Sequence, residues 1–131
     1  MRSVRRFPAE LGSVKAARHF ARAVLSDVPT ATADAVELLV SELATNSIKH
    51  ADTAFELAVD HNPREVIVEV TDDGPGDPIP RDPAPTDPTG RGLRIVETMS
   101  DKWGVRHAGE TKTVWFLVRT APPPSSRLSG R

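Results

Sequence analysis

The sequence contains no cysteine. That absence excludes disulfides, thiolate metal sites and a cysteine nucleophile, and it fits a reducing compartment without requiring one. Charge imbalance is also missing, since 17 basic and 18 acidic side chains leave a net charge of -1. No strong field draws the chain to nucleic acid or to anionic lipid. Long apolar runs are absent too. Arg2, Arg5 and Arg6 resemble the basic start of a signal peptide, but Lys15, Arg18 and His19 interrupt the next apolar stretch. Nothing there suits export or a membrane span, so no membrane partner is expected and the expected location is cytoplasmic. His19, His61 and His107 lack the spacing of metal ligands.

What is present suits one soluble domain. With 131 residues, 38% hydrophobic and 27% charged, the chain is long enough for a single two-layer core. Residues 1–120 make up the expected domain. Residues 121–131, rich in Pro, Ser and Arg with a single leucine, read as a disordered tail.

Val14, Ala17, Phe20, Ala21, Val24 and Leu25 recur at helical spacing after Ser13, which suits an N-cap, and Pro29 lies just past the end. Arg18 and Arg22 lie four apart on this helix and read as a solvated face or, less readily, a docking face. A second helix is predicted from about Thr32 or Asp34 to Ala51, with Val36, Leu39, Val40, Leu43 and Ser47 in one stripe. Alternation predicts a hairpin from Phe55–Val59 to Val66–Val70 around Asn62-Pro63-Arg64. Six of the twelve prolines fall between Pro75 and Pro88, so that stretch is predicted to be an extended functional loop. Leu93, Ile95, Val96 and Met99 mark a short third helix. Trp103–Arg106 and Thr111–Val118 form a predicted closing hairpin, with both tryptophans in core or rim packing.

Three segments carry chemistry. In Glu42-Leu43-Ala44-Thr45-Asn46, Glu42 and Asn46 are four apart and share a helix face. An Asn carbonyl oxygen suits Mg²⁺, and a Glu one turn away can activate a hydroxyl attacking a γ-phosphate. Lys49 extends that face toward a phosphate. Alone, this segment reads first as a solvated helix face. Asp72-Asp73-Gly74-Pro75-Gly76 follows a strand; its carboxylate can accept from the adenine amine, although alone it reads as an ordinary acidic turn. Gly90-Arg91-Gly92-Leu93 precedes the predicted third helix, where free amides suit phosphate oxygens, yet a lone Gly-x-Gly is weak. Together, in this order, the segments supply what holding Mg-ATP requires.

These residues resemble the GHKL ATPase superfamily, the group containing gyrase, histidine kinases and mismatch-repair ATPases. Glu42–Asn46 matches its N box, Asp72-x-Gly74-x-Gly76 its first glycine box and Gly90-x-Gly92-Leu93 its second. Thr113, in Lys112-Thr113-Val114-Trp115-Phe116, matches the threonine strand that closes the adenine pocket. Within that group the chain is most similar to stand-alone anti-sigma serine/threonine kinases of the RsbW type, through Phe7-Pro8, Ser13-Val14-x-x-Ala17-Arg18-x-Phe20, Glu42–Ala51 and Trp103-Gly104. The resemblance spans about Phe7 to Arg119.

It implies an α/β (α+β) two-layer sandwich of the GHKL, or Bergerat, type, with a mixed, mostly antiparallel sheet and helices on one face. It places Asp72 on the adenine amine, Asn46 on Mg²⁺, and Gly74, Gly76, Gly90 and Gly92 around the nucleotide. Residues 77–89 would form an ATP lid; as its cations, Arg81 and Arg91 are candidates to neutralise γ-phosphate charge, with Arg81 read first as solubilising the loop. Glu42 becomes the general base toward a partner's serine or threonine. The implied cofactors are ATP and Mg²⁺, and the implied partners are a sigma factor and an anti-sigma factor antagonist. A homodimer is compatible with the resemblance, and direct nucleic-acid contact is not implied. A binding module that sequesters a partner without phosphotransfer is the alternative. A sensor histidine kinase is weaker still, because no dimerisation helices with a phosphoacceptor His precede the domain.

Overall fold

The structure is a computed structural model that describes residues 1–51, 53–73 and 88–120. Its elements run β1 (Arg2–Phe7), α1 (Gly12–Val24), α2 (Thr30–Asn46), a π-helical turn (Ser47–Ala51), β2 (Phe55–His61), β3 (Glu65–Asp72), α3 (Pro88–Met99), β4 (Lys102–Ala108) and β5 (Thr111–Arg119). The strands form one sheet in the order β1-β2-β3-β5-β4. Every pairing among the described residues is antiparallel, where a mixed, mostly antiparallel sheet was expected. Each described neighbour pair either forms a hairpin or is joined by a crossover that returns antiparallel, so no parallel ladder arises.

Alternation divides the sheet into two faces. Phe55, Leu57 and Val59 on β2, Val66, Val68 and Val70 on β3, and Val114, Phe116 and Val118 on β5 are buried. They form one core with Val36, Leu39, Val40 and Leu43 of α2 and Ala17 and Ala21 of α1. The two-layer sandwich is therefore present, with α2 packing against both β3 and β5.

β1 was not legible in the sequence. Three of its six residues are arginines, a composition that suits a half-solvated edge strand. It is held in register by β2, with Phe7 opposite Phe55. The Phe7 ring stacks on Phe55 at 5.4 Å and meets Phe20 edge-on at 6.1 Å, which ties β1 to α1.

Helix starts differ from expectation. Leu11 holds the N-cap position of α1. Ser13 lies inside the helix, and its hydroxyl donates to the Pro8 carbonyl at 2.7 Å. α2 begins at Thr30, directly after Pro29. Thr32 does not cap it; its hydroxyl donates to the Thr120 carbonyl at 2.8 Å and fastens α2 to the end of β5. Arg18 and Arg22 stay partly exposed, and both are engaged in ion pairs across the helix pair. Arg18 pairs with Glu37 at 3.6 Å, and Arg22 pairs with Glu37 at 2.8 Å and with Asp34, clamping α1 to α2. The hydrogen bond to Asp34 is the main reason the Arg22 guanidinium is held more firmly protonated than usual.

Both hairpins form as predicted. In the first, the Asn62 carboxamide oxygen accepts from the amides of Arg64 and Glu65. In the second, Gly109 takes a positive φ of 65°, which only glycine adopts cheaply. The proline-rich stretch 74–87 and the tail 121–131 lie outside the described residues. Pro88 and Thr89, expected in the lid, belong to α3.

The outer sheet face carries two features with testable consequences. Trp115 lies over Gly104, its cross-strand partner, and a Cβ on Gly104 would stand 2.9 Å from the indole Nε1. Gly104→Ala should destabilise the domain by about 1–3 kcal/mol, read as a lower denaturant midpoint. Nearby, Glu69 accepts from Arg2 at 3.1 Å and from Arg106 at 2.8 Å, linking β1 to β4 across the sheet. The bond from Arg106, more than that from Arg2, holds the Glu69 carboxyl below its usual range. Its stabilisation is full above the unfolded-state value of 4.5 and is lost as pH falls through the lower folded value. Glu69→Gln should therefore flatten the acid limb of the thermal midpoint measured against pH.

Candidate functional site

The site is assembled where the C-terminal end of α2 meets the end of β3. Asp72 is the last residue of β3 and shares the core face with Val66, Val68 and Val70. It is 2% exposed. A carboxylate held so far from water needs donors, and Ser47 supplies one: its hydroxyl donates to Asp72 Oδ2 at 2.8 Å. Lys112 Nζ lies 3.9 Å from the same oxygen. Ser47 is itself buried and opens the π-helical turn, one residue after Asn46.

The widened turn has a positional effect. A π turn inserts an extra residue in the helical ladder and rotates the residues after it relative to those before it, and such turns favour functional sites. Glu42 and Asn46 lie before the change, on α2, and both are half-buried. No hydrogen bond or ion pair among the described residues engages either side chain. Lys49 lies within the π turn and is exposed. The Ser47–Asp72 bond thus places the helix end that carries Glu42 and Asn46 against the strand end that carries the acceptor carboxylate.

Other expected residues fall elsewhere. Gly74 and Gly76 lie outside the described residues, as does Arg81. Gly90, Arg91, Gly92 and Leu93 do not precede α3 but lie within it, because the helix opens at Pro88. Proline suits a first helical position, having no amide to leave unpaired. The amide of Gly90 is in the uncommitted first turn, whereas that of Gly92 enters the helical ladder.

Thr113 faces away from Asp72. It pairs in register with Thr71, and the two hydroxyls lie 2.8 Å apart on the outer face of the sheet. Lys112 is the neighbour that alternation turns toward Asp72. Sequence reasoning missed both Ser47, read only as part of the α2 stripe, and Lys112. The two-residue alternation of Val114, Phe116 and Val118 is the signal that locates Lys112 on the inner face.

Among the described residues, no helix is long and apolar enough to cross a membrane. The sequence matches the histidine kinase-like ATPase domain over residues 7–118. No curated protein sequence matches it. Similar solved structures include the RsbU and RsbW domains of Rv1364c from Mycobacterium tuberculosis, with a TM-score of 0.71 at 16% identity over 94% of this chain and 33% of that one. The Erythrobacter litoralis EL346 blue-light activated histidine kinase aligns with a TM-score of 0.57 at 28% identity, covering 76% of this chain and 34% of its own. The SiaB-SiaC complex from Pseudomonas aeruginosa aligns with a TM-score of 0.51 at 11% identity, covering 89% of both chains. The chain thus spans about one third of the length of the first two.

Proposed function

This chain belongs to the histidine kinase-like ATPase domain family, and on that premise we propose that it is an ATP-binding regulatory protein kinase. Its activity is that of an anti-sigma factor that passes the γ-phosphate of ATP to a serine or threonine of an antagonist protein. The Ser47–Asp72 hydrogen bond carries this reading, because it sets a buried acceptor carboxylate beside the helix end holding Glu42 and Asn46. The serine/threonine and anti-sigma assignments rest on the RsbW-type sequence motifs. The RsbW domain among the similar structures accords with them.

Each residue has a distinct task. Asp72 accepts from the exocyclic amine of adenine and keeps Ser47 as its own donor. Glu42 takes the proton from the attacking hydroxyl. Lys49, exposed at the π turn, reaches toward phosphate. The donor set also fits a cation that arrives with the nucleotide. Among the described residues, no group of three or more His, Asp or Glu side chains could hold a metal on its own. Asn46 offers one neutral oxygen, which suits a Mg²⁺ that keeps water and phosphate oxygens as its other ligands. When bound, Mg²⁺ offsets the phosphate charge.

Asn46→Ala tests this assignment. By calorimetric titration the variant should bind ATP at least about tenfold more weakly than wild type in Mg²⁺ (1.4 kcal/mol), and nearly as well in EDTA. An equal loss in both buffers would remove Asn46 from the metal, and a wild-type affinity indifferent to Mg²⁺ would remove the metal from the site.

A further inference from the structure

Asp72 does not face the site alone. Lys112 is its register partner across β3 and β5 and lies on the same inner face. The lysine side chain is 13% exposed, against 1% for the carboxylate. Lysine is seldom drawn so far from water unless its charge is matched. Here the match is incomplete. Nζ stands 3.9 Å from Oδ2, beyond the roughly 2.7–3.2 Å of a formed N–H···O bond. The Ser47 hydroxyl donates to that oxygen at 2.8 Å. The ammonium therefore neutralises Asp72 from a distance, while its three N–H donors are not used up by it.

We propose that Lys112 is a second base-reading group, donating a hydrogen bond to ring nitrogen N1 of adenine while Asp72 accepts from the adjacent exocyclic amine. The inference rests on the reading of Asp72 as the carboxylate that recognises adenine. On that edge adenine presents a donor, the amine, directly beside an acceptor, N1. Asp72 and Lys112 present the complementary acceptor and donor from neighbouring strands. Thr113 cannot take this role, since its hydroxyl meets Thr71 on the opposite face. A donor bearing full charge makes a stronger bond than a neutral one, so loss of the N1 contact should be measurable.

The test compares ATP with 1-deaza-ATP, in which N1 is replaced by C–H, by titration into wild type, Lys112→Met and Asp72→Asn. Wild type should bind the analogue about tenfold more weakly than ATP, the scale of one lost hydrogen bond to a charged group. Lys112→Met should bind ATP more weakly than wild type and should no longer distinguish the two nucleotides. Equal wild-type affinities would overturn the proposal, as would a tenfold gap that persists in Lys112→Met. The wild-type comparison changes only the ligand, so it holds even where the variant folds poorly. Asp72→Asn separates the two readings. Unchanged ATP affinity in that variant, or no ATP binding by wild type, would overturn the adenine reading of Asp72 and the proposal with it. Weakened binding in Asp72→Asn without N1 discrimination in wild type would overturn the role of Lys112 alone.

Discussion

Glu42→Gln is expected to leave ATP affinity within about twofold of wild type while slowing γ-phosphate transfer on the order of 10²–10⁴-fold, the usual contribution of a positioned general base. The substitution keeps the size and polarity of the side chain and removes its capacity to take a proton. Glu42 is half-buried on α2, and no described neighbour engages its carboxylate. Glutamine therefore breaks no hydrogen bond or ion pair among the described residues, and the folded state should tolerate it. The measurement is mass-spectrometric mapping of serine and threonine phosphorylation in proteins incubated with Mg-ATP and the wild-type or variant chain. A fall in transfer at constant ATP affinity marks an interaction used only in the transition state. Equal transfer by both proteins would remove Glu42 from the chemistry. Absence of transfer by wild type, with ATP still bound, would leave the non-catalytic reading, in which the chain regulates by sequestering a partner.

Phe55→Ala is expected to cost about 3–5 kcal/mol, the range for emptying a fully buried phenylalanine site. Phe55 is 0% exposed, stacks on Phe7, and lies opposite both Phe7 on β1 and Asp72 on β3. Its loss opens a cavity and frees the edge strand in one step, because Phe7 is the residue through which β1 reaches the core. Domains of ordinary stability have only about 5–15 kcal/mol to lose, so much of the margin disappears. Denaturant unfolding would show a large drop in midpoint, and amide exchange should show β1 losing protection before β3. Protection lost uniformly across the sheet would contradict the role assigned to the Phe7–Phe55 stack.

Much of the architecture was legible because its signals are local. The hairpins arise from two-residue alternation at Phe55–Val59, Val66–Val70 and Thr111–Val118. The spacing of Glu42 and Asn46 placed them on one helix face without reference to anything distant. Other features depend on partners that sequence spacing does not reveal. β1 carries three arginines and forms a strand because β2 supplies its ladder and Phe55 its packing. Ser13 looked like a cap and serves instead as a donor to Pro8. Ser47 occupies a helix stripe that is otherwise apolar, and its hydroxyl acquires meaning only from Asp72, 25 residues away. The change from α to π geometry at Ser47 leaves no periodic trace in five residues. Thr113 shows the limit of motif matching: a hydroxyl of the right type was found, but strand parity turns it outward and turns Lys112 inward.

We assign the ATP site of this fold to Asp72, which Ser47 fixes at the junction of α2 and β3. Isothermal titration of ATP into wild type and Asp72→Asn, with thermal midpoints measured on both, tests this assignment most directly. Asparagine keeps the shape but places an amide donor where the adenine amine requires an acceptor. Wild type should bind ATP saturably, and the variant should bind it at least about tenfold more weakly, with both proteins folded. Equal affinities in the two folded proteins, or no binding by wild type, would contradict it.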